Sequence, residues 1–295
     1  MSLVHWIVAG GAILIGISAI IFLIIGLRRN ATHHQIKRKN RRSYSFPQQP
    51  IKNVDASSTS KLSFIEARLS PHYIFGLHFT VGVLIFISSA LLFAIIADNV
   101  LSGNSLKLVD TQIAQWLHAH NSPTVTFCLM ILTNLHDPIS ISVMVALIAI
   151  YLICKKRWYA VLAVLMVVPG GMLLNLLMKQ AFQRARPIFD QPLVMLTTYS
   201  FPSGHVAAST LFYGILATLL ISQSHSWLRV AYIILIAFAM VALVAFSRIY
   251  LGAHYLSDVL AAFLEAIAWL AICLTTIQTY SIYREAKKGN LSFVI

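Results

Sequence analysis

Long apolar runs separated by short polar stretches set the pattern of this chain. Residues 4–27 form one such run, and others follow at about 74–97, 138–154, 158–178, 206–222, 228–246 and 258–278. Most are long enough to cross a hydrocarbon core ~30 Å thick as helices, the structure that satisfies its own backbone in lipid. The pattern therefore predicts seven spans in an all-α bundle: a six-helix transmembrane unit preceded by one extra N-terminal transmembrane helix. Residues 124–135 are also apolar but too short to cross alone. Asp137-Pro138 interrupts them, which predicts an interfacial or re-entrant helix continuing into the next span. No internal repeat is visible.

Composition agrees, since 58% of the 295 residues are hydrophobic and 11% are charged. That balance describes a polytopic membrane protein rather than a soluble domain. The net charge of +13 changes the picture only once the cations are located. Residues 28–72 hold ten Lys or Arg against Asp55 and Glu66, a net of +8, with Pro, Gln, Ser and Thr and no apolar periodicity. This stretch reads as a disordered cytoplasmic linker that signals topology and attracts anionic lipid, not as a nucleic-acid site. A cleaved signal peptide fits 1–27 poorly: no Lys or Arg precedes the apolar run, whereas Arg28 and Arg29 follow it. The expected organisation is an anchor at 1–27, the linker at 28–72, a catalytic transmembrane domain at 73–278 and a cytoplasmic tail at 279–295.

With the N-terminus outside, seventeen of the twenty-two Lys and Arg fall in the cytoplasm, and only Lys107, Lys179, Arg184, Arg186 and Arg248 lie opposite. The positive-inside rule supports this threading. The sequons at Asn30 and Asn290 then face the cytoplasm. Cys128, Cys154 and Cys273 lie in or beside apolar runs without CxxC spacing, as packing thiols do.

Three polar blocks stand at the edges of apolar runs, where charge is costly and marks function. The first is Lys179 with Arg186-Pro187, the second Pro202-Ser203-Gly204-His205, the third Ser247-Arg248 with His254 and Asp258. Lys179, Arg186 and Arg248 have the donors to surround one tetrahedral dianion. Alone, the first two also read as snorkelling interfacial cations. Ser203-Gly204 precedes an expected helix start, where free backbone N–H groups, a hydroxyl and a glycine suit an anion. His205 there is either a cap-region residue or a proton donor. His254 and Asp258 have i, i+4 spacing, which on a helix puts both on one face and lets the carboxylate fix the imidazole tautomer. A plain ion pair is the competing reading. Ser247 is left open, and Arg184 is read as interfacial. Between the second and third spans, residues 98–137 bring Asp110, Trp116, His118, His120 and His136 to the same side, with Trp116 as an interfacial anchor.

Together the blocks resemble the type 2 phosphatidic acid phosphatase (PAP2) superfamily, over residues 73–278. The resemblance implies His254 as nucleophile, His205 as general acid and Asp258 as the residue orienting His254. Lys179, Arg186, Ser203, Gly204 and Arg248 would bind the substrate phosphate. It further implies a phosphohistidine intermediate, no metal and no cofactor. The substrate would be a lipid phosphate or diphosphate at the extracytoplasmic face of a bacterial inner membrane, undecaprenyl diphosphate first, then phosphatidylglycerol phosphate or phosphatidic acid. A lipid phosphotransferase uses the same residues. An anion transporter would use the cations and leave the histidines idle.

Overall fold

The computed structural model describes residues 77–103 and 105–287. The expected anchor at 1–27, the basic linker and both sequons lie outside the described residues. Eight helices follow one another: α1 Leu77–Ser102, α2 Ser105–Ala119, α3 Pro123–Leu135, α4 Pro138–Cys154, α5 Trp158–Phe182, α6 Gly204–Ile221, α7 Trp227–Tyr250 and α8 Leu256–Lys287. No strand occurs among the described residues.

Five of them, α1, α5, α6, α7 and α8, are long and apolar enough to cross a membrane, and α3 with α4 passes only as a pair bent by 45°. The bend falls at Asp137-Pro138, as the sequence suggests. Proline at the first helical position costs no hydrogen bond, and the Asp137 carboxylate caps α4 by accepting from Ile139 N at 3.0 Å. The long polar connection expected at 98–137 is instead mostly helical, as α2 and α3. At the other end, α8 runs on to Lys287 through residues read as a tail. The apolar pattern stops before the helix does, because its last turns need no buried face. Arg284 there lies over the Tyr159 ring at 5.6 Å.

α8 is the central element, packed against α1, α5 and α6 and touching α2 and α7. Small residues let the backbones close up, as is usual between helices in lipid. A Cβ on Gly82 of α1 would stand 1.9 Å from Thr275 Oγ1, and one on Gly171 of α5 would stand 2.5 Å from Leu211 Cδ1. Trp269 of α8 lies against Gly170 and donates through Nε1 to the carbonyls of Met166 and Val167, in the turn before Pro169. Leu84, Ile87, Leu91 and Ile95 project from α1 at helical spacing and stay exposed, the face that lipid covers. The chain course brings the ends of α5 and α7, the starts of α6 and α8, and the α3–α4 bend to one end of the bundle.

Candidate active site

α5 ends with Gln183 in the left-handed region, which turns the chain into an irregular loop over residues 183–203. That loop carries Arg184 and Arg186 back over the bundle end. Arg186 is held along its whole fork: Nε donates to Thr198 O at 2.7 Å, Nη2 to Thr198 Oγ1 at 2.9 Å and Nη1 to Ala253 O at 2.6 Å. Lys179, on the last turn of α5, donates to Tyr199 O at 2.8 Å. Arg248, on the last turn of α7, is buried and donates through Nη1 to Thr133 Oγ1 of α3 at 2.8 Å. His205, on the first turn of α6, lies within electrostatic reach of Lys179, Arg186, Arg248 and His254. Space beside Gly204 opens towards Asn175 Oδ1 and Lys179 Cε, which a Cβ would meet at an ordinary 3.5 and 3.7 Å. All eight residues singled out in the sequence therefore meet in one place.

Ser203 occupies the N-cap position of α6 without using its hydroxyl to cap it. The Ser203 Oγ and Arg248 Nε are both buried and have no hydrogen-bonding partner in the protein. Leaving buried donors unmade costs about 1–3 kcal/mol each. Two such donors beside the free N–H groups of a helix start make a receptor for an anion's oxygens.

His254 departs from its expected setting. It lies in the turn between α7 and α8, not on a helix, and meets Asp258 because that turn folds back over the first turn of α8. His254 Nδ1 stands 3.6 Å from Asp258 Oδ2, an ion-pair contact rather than a hydrogen bond. On the other side of the ring, Nε2 lies 3.3 Å from Arg186 Nη1. A guanidinium only donates, so Nε2 is the bare nitrogen and the proton sits on Nδ1, facing Asp258. Burial pushes His254 down to about 3 from its ordinary 6.5, with Arg248 and Arg186 adding to that effect and Asp258 opposing it. The ring is thus neutral near pH 7. Burial likewise lowers Arg186, against the pull of Asp258.

Several residues of the site escaped the sequence reading. Arg184 is not interfacial: it is held between two carboxylates, donating through Nη1 to Asp258 Oδ1 at 2.5 Å and through Nη2 to Asp110 Oδ2 at 2.9 Å. Ser200 donates its hydroxyl to Asp258 Oδ2 in a short hydrogen bond, and Tyr255 N donates to the same oxygen at 2.9 Å. Asp137, the cap of α4, places Oδ1 3.6 Å from His205 Nε2. Thr133 holds Arg248. Of these, only Asp137 carried a signal, as the polar break in an apolar run. Residues in and just after α2 play other parts: Trp116 is exposed and stacks on His120, and His118 stacks on Phe189 with ring centroids 4.1 Å apart. His136 binds Tyr213 at 2.8 Å. Among the described residues, no group of three or more His, Cys, Asp or Glu is gathered as a metal site would require.

The sequence profile of the PAP2 superfamily matches residues 158–282 of this chain, and the helical membrane bundle resembles a transmembrane PAP2 structure. The match spans α5 to α8 and all three blocks. Among curated proteins it is similar to phosphatidylglycerophosphatase B of Bacillus subtilis (strain 168), with 37% identity over 114 residues, 37% of this chain and 53% of that one. The alignment thus spans about half the length of that relative. Among solved structures it resembles the first transmembrane PAP2 type phosphatidylglycerolphosphate phosphatase from Bacillus subtilis, with a TM-score of 0.56 and 26% identity, covering 69% of this chain and 96% of that one.

Proposed function

We propose that the chain is a membrane lipid phosphatase that removes a terminal phosphate through a phosphohistidine on His254. The observation that carries this reading is the bare Nε2 of His254, which lies beside Arg186 with Asp258 behind the ring and unpartnered donors nearby. Phosphate oxygens replace the carbonyls now held by Lys179 and Arg186 and take up Arg248 Nε, the Ser203 hydroxyl and the Gly204 amide. The Arg186 guanidinium moves off Nε2 as its donors turn to the substrate. Nε2 then attacks phosphorus in line, the P–N bond forms, and the P–O bond to the lipid breaks. His205 gives its proton to the departing oxygen. Water next attacks the phosphohistidine with His205 as base, the P–N bond breaks, and phosphate leaves. The cations neutralise the charge that divalent metals meet in many phosphoryl transfers.

Phosphatidylglycerophosphate is the first substrate to test, because the names of both relatives carry it. Undecaprenyl diphosphate and phosphatidic acid come next. The site faces the extracytoplasmic side of the inner membrane. In support, Lys155, Lys156, Arg157 and Arg229 stand at the helix ends away from it, where the positive-inside rule puts the cytoplasm. The decisive experiment measures phosphate released by purified protein from a panel of lipid phosphates, with and without EDTA. Release that survives chelation and is blocked by vanadate is expected. No release from any lipid phosphate, or release that needs added Mg²⁺, would overturn the reading.

A further inference from the structure

Arg184 lies outside the motif of cations expected to meet phosphate, yet few side chains of the site are as fully engaged. Its guanidinium joins Asp258 of α8 to Asp110 of α2 and also donates to Ser257 Oγ at 2.7 Å. Its face lies over the Tyr255 ring, 4.3 Å from the centroid. Asp110 in turn accepts from Ser257 N at 3.0 Å and from the Ser257 hydroxyl in a short bond, so it fixes the first turn of α8. Both carboxylates are buried. An apolar trio would fill such a place at no cost in desolvation. A planar fork between two carboxylates does something an apolar group cannot: it fixes where each oxygen points.

We infer that Arg184, anchored by Asp110, is the positioning residue that aims the Asp258 carboxylate at His254, and that α2 is thereby part of the catalytic apparatus. The inference rests on the reading of His254 as nucleophile. One oxygen of Asp258 is taken by Arg184; the other is shared by Ser200, Tyr255 N and His254. The arginine therefore sets the rotation of the carboxylate and draws off part of its charge. Asp110 lies outside the segment matched by the superfamily profile, so that segment does not contain the whole device.

The charge that Arg184 withdraws from Asp258 predicts the sign of its loss. His254 is faced by Asp258 from α8, Arg248 from α7, Arg186 from the α5–α6 loop and His205 from α6. In Arg184→Gln the full carboxylate charge falls on His254, which then takes up a proton more readily. Its titration should move upward from about 3 by roughly one unit or more, and the acid limb of kcat/KM should follow. The phosphorylation burst at neutral pH should fall about tenfold or more, as for other residues that orient a reacting group.

Arg184→Gln also leaves two carboxylates facing each other, which by itself destabilises the fold. The double variant Asp110→Asn/Arg184→Gln removes one charge of each sign and separates the two effects. It should recover most of the thermal stability lost by the single variant while keeping the raised His254 titration and the weak burst. If the double variant regained a wild-type pH profile and burst together with its stability, Arg184 would be a structural tie and nothing more. The titration is read by ¹⁵N-imidazole NMR, assigned with His254→Ala, and needs no turnover. Wild-type protein that releases no phosphate from any substrate would therefore sink the proposed function, whereas an unmoved His254 titration in Arg184→Gln would sink this inference.

Discussion

His205 and His254 share a site but not a setting, and single substitutions can read the difference. His254 presents a bare nitrogen backed by Asp258, whereas His205 stands at a helix start with Asp137 alongside. His254→Ala should abolish the burst of leaving group whatever the substrate. His205→Ala should cost about 10²–10⁴-fold on a lipid or alkyl monophosphate, whose alkoxide leaves poorly without a proton, and much less on an aryl phosphate. Equal losses on both substrates in burst kinetics would contradict the assigned roles. At this scale the sequence was legible where residues that meet in space fall in short, regularly spaced blocks. Lys179, Arg186, Ser203, Gly204, His205, Arg248, His254 and Asp258 all converge as their blocks suggest. Arg184 was misread because its two carboxylate partners come from distant segments, α2 and α8, and no local spacing announces such a bracket. Thr133 and Ser200 were missed for the same reason: a hydroxyl in an apolar or polar run looks alike whether or not an arginine or carboxylate stands opposite.

Among the elements, the turn between α7 and α8 has the most demanding backbone. Gly252 sits at φ +67°, and a Cβ there would stand 2.6 Å from Phe189 Cε2. Phe189 is itself backed by His118 of α2 and cannot swing freely away. Gly252→Ala should cost about 1–3 kcal/mol in stability and, because His254 lies only two residues on, lower kcat more than it raises KM. Thermal melts and steady-state kinetics would test it, and an unchanged melting temperature would show that the turn yields. Helix boundaries were easier to read than this turn. Apolar run length located α1 and α4 to α8 to within a few residues at most ends, since lipid demands continuous hydrophobicity. The pattern could not show that residues 98–137 are mostly helical or that α8 outlasts its apolar run, because neither feature depends on a buried stripe. The i, i+4 rule brought His254 to Asp258 for a partly wrong reason, as a folded turn and not a helix face makes the contact.

For the whole molecule, orientation is the property most open to test. Cations at the ends of helices away from the site should hold those ends in the cytoplasm. A phosphatase reporter that works only outside the cytoplasm should be active when fused after Gly103, between α1 and α2, and silent when fused after Ser224, between α6 and α7. The reverse pattern would place the site in the cytoplasm and exclude outer-leaflet substrates. Seen at this scale, charge asymmetry and motif position agree although they arise from independent physics: one from insertion, the other from chemistry.

The pairing of α1 with α8, the first and last described helices, bears on how the protein is made. Gly82 of α1 receives Thr275 of α8 so closely that a Cβ at 82 would stand 1.9 Å from its Oγ1, yet the ribosome delivers α8 after every other described helix. During synthesis α1 waits in the bilayer with that surface uncovered. The cation-bearing ends of α5 and α7 are already inserted, while Asp258 and its bracket to α2 are still missing. A nascent chain at this stage holds the cation-bearing helix ends without the His254–Asp258 pair. Arrival of α8 closes the bundle against α1 and completes the histidine–carboxylate pair in the same event, so the cluster at the bundle end and the bundle itself are completed together.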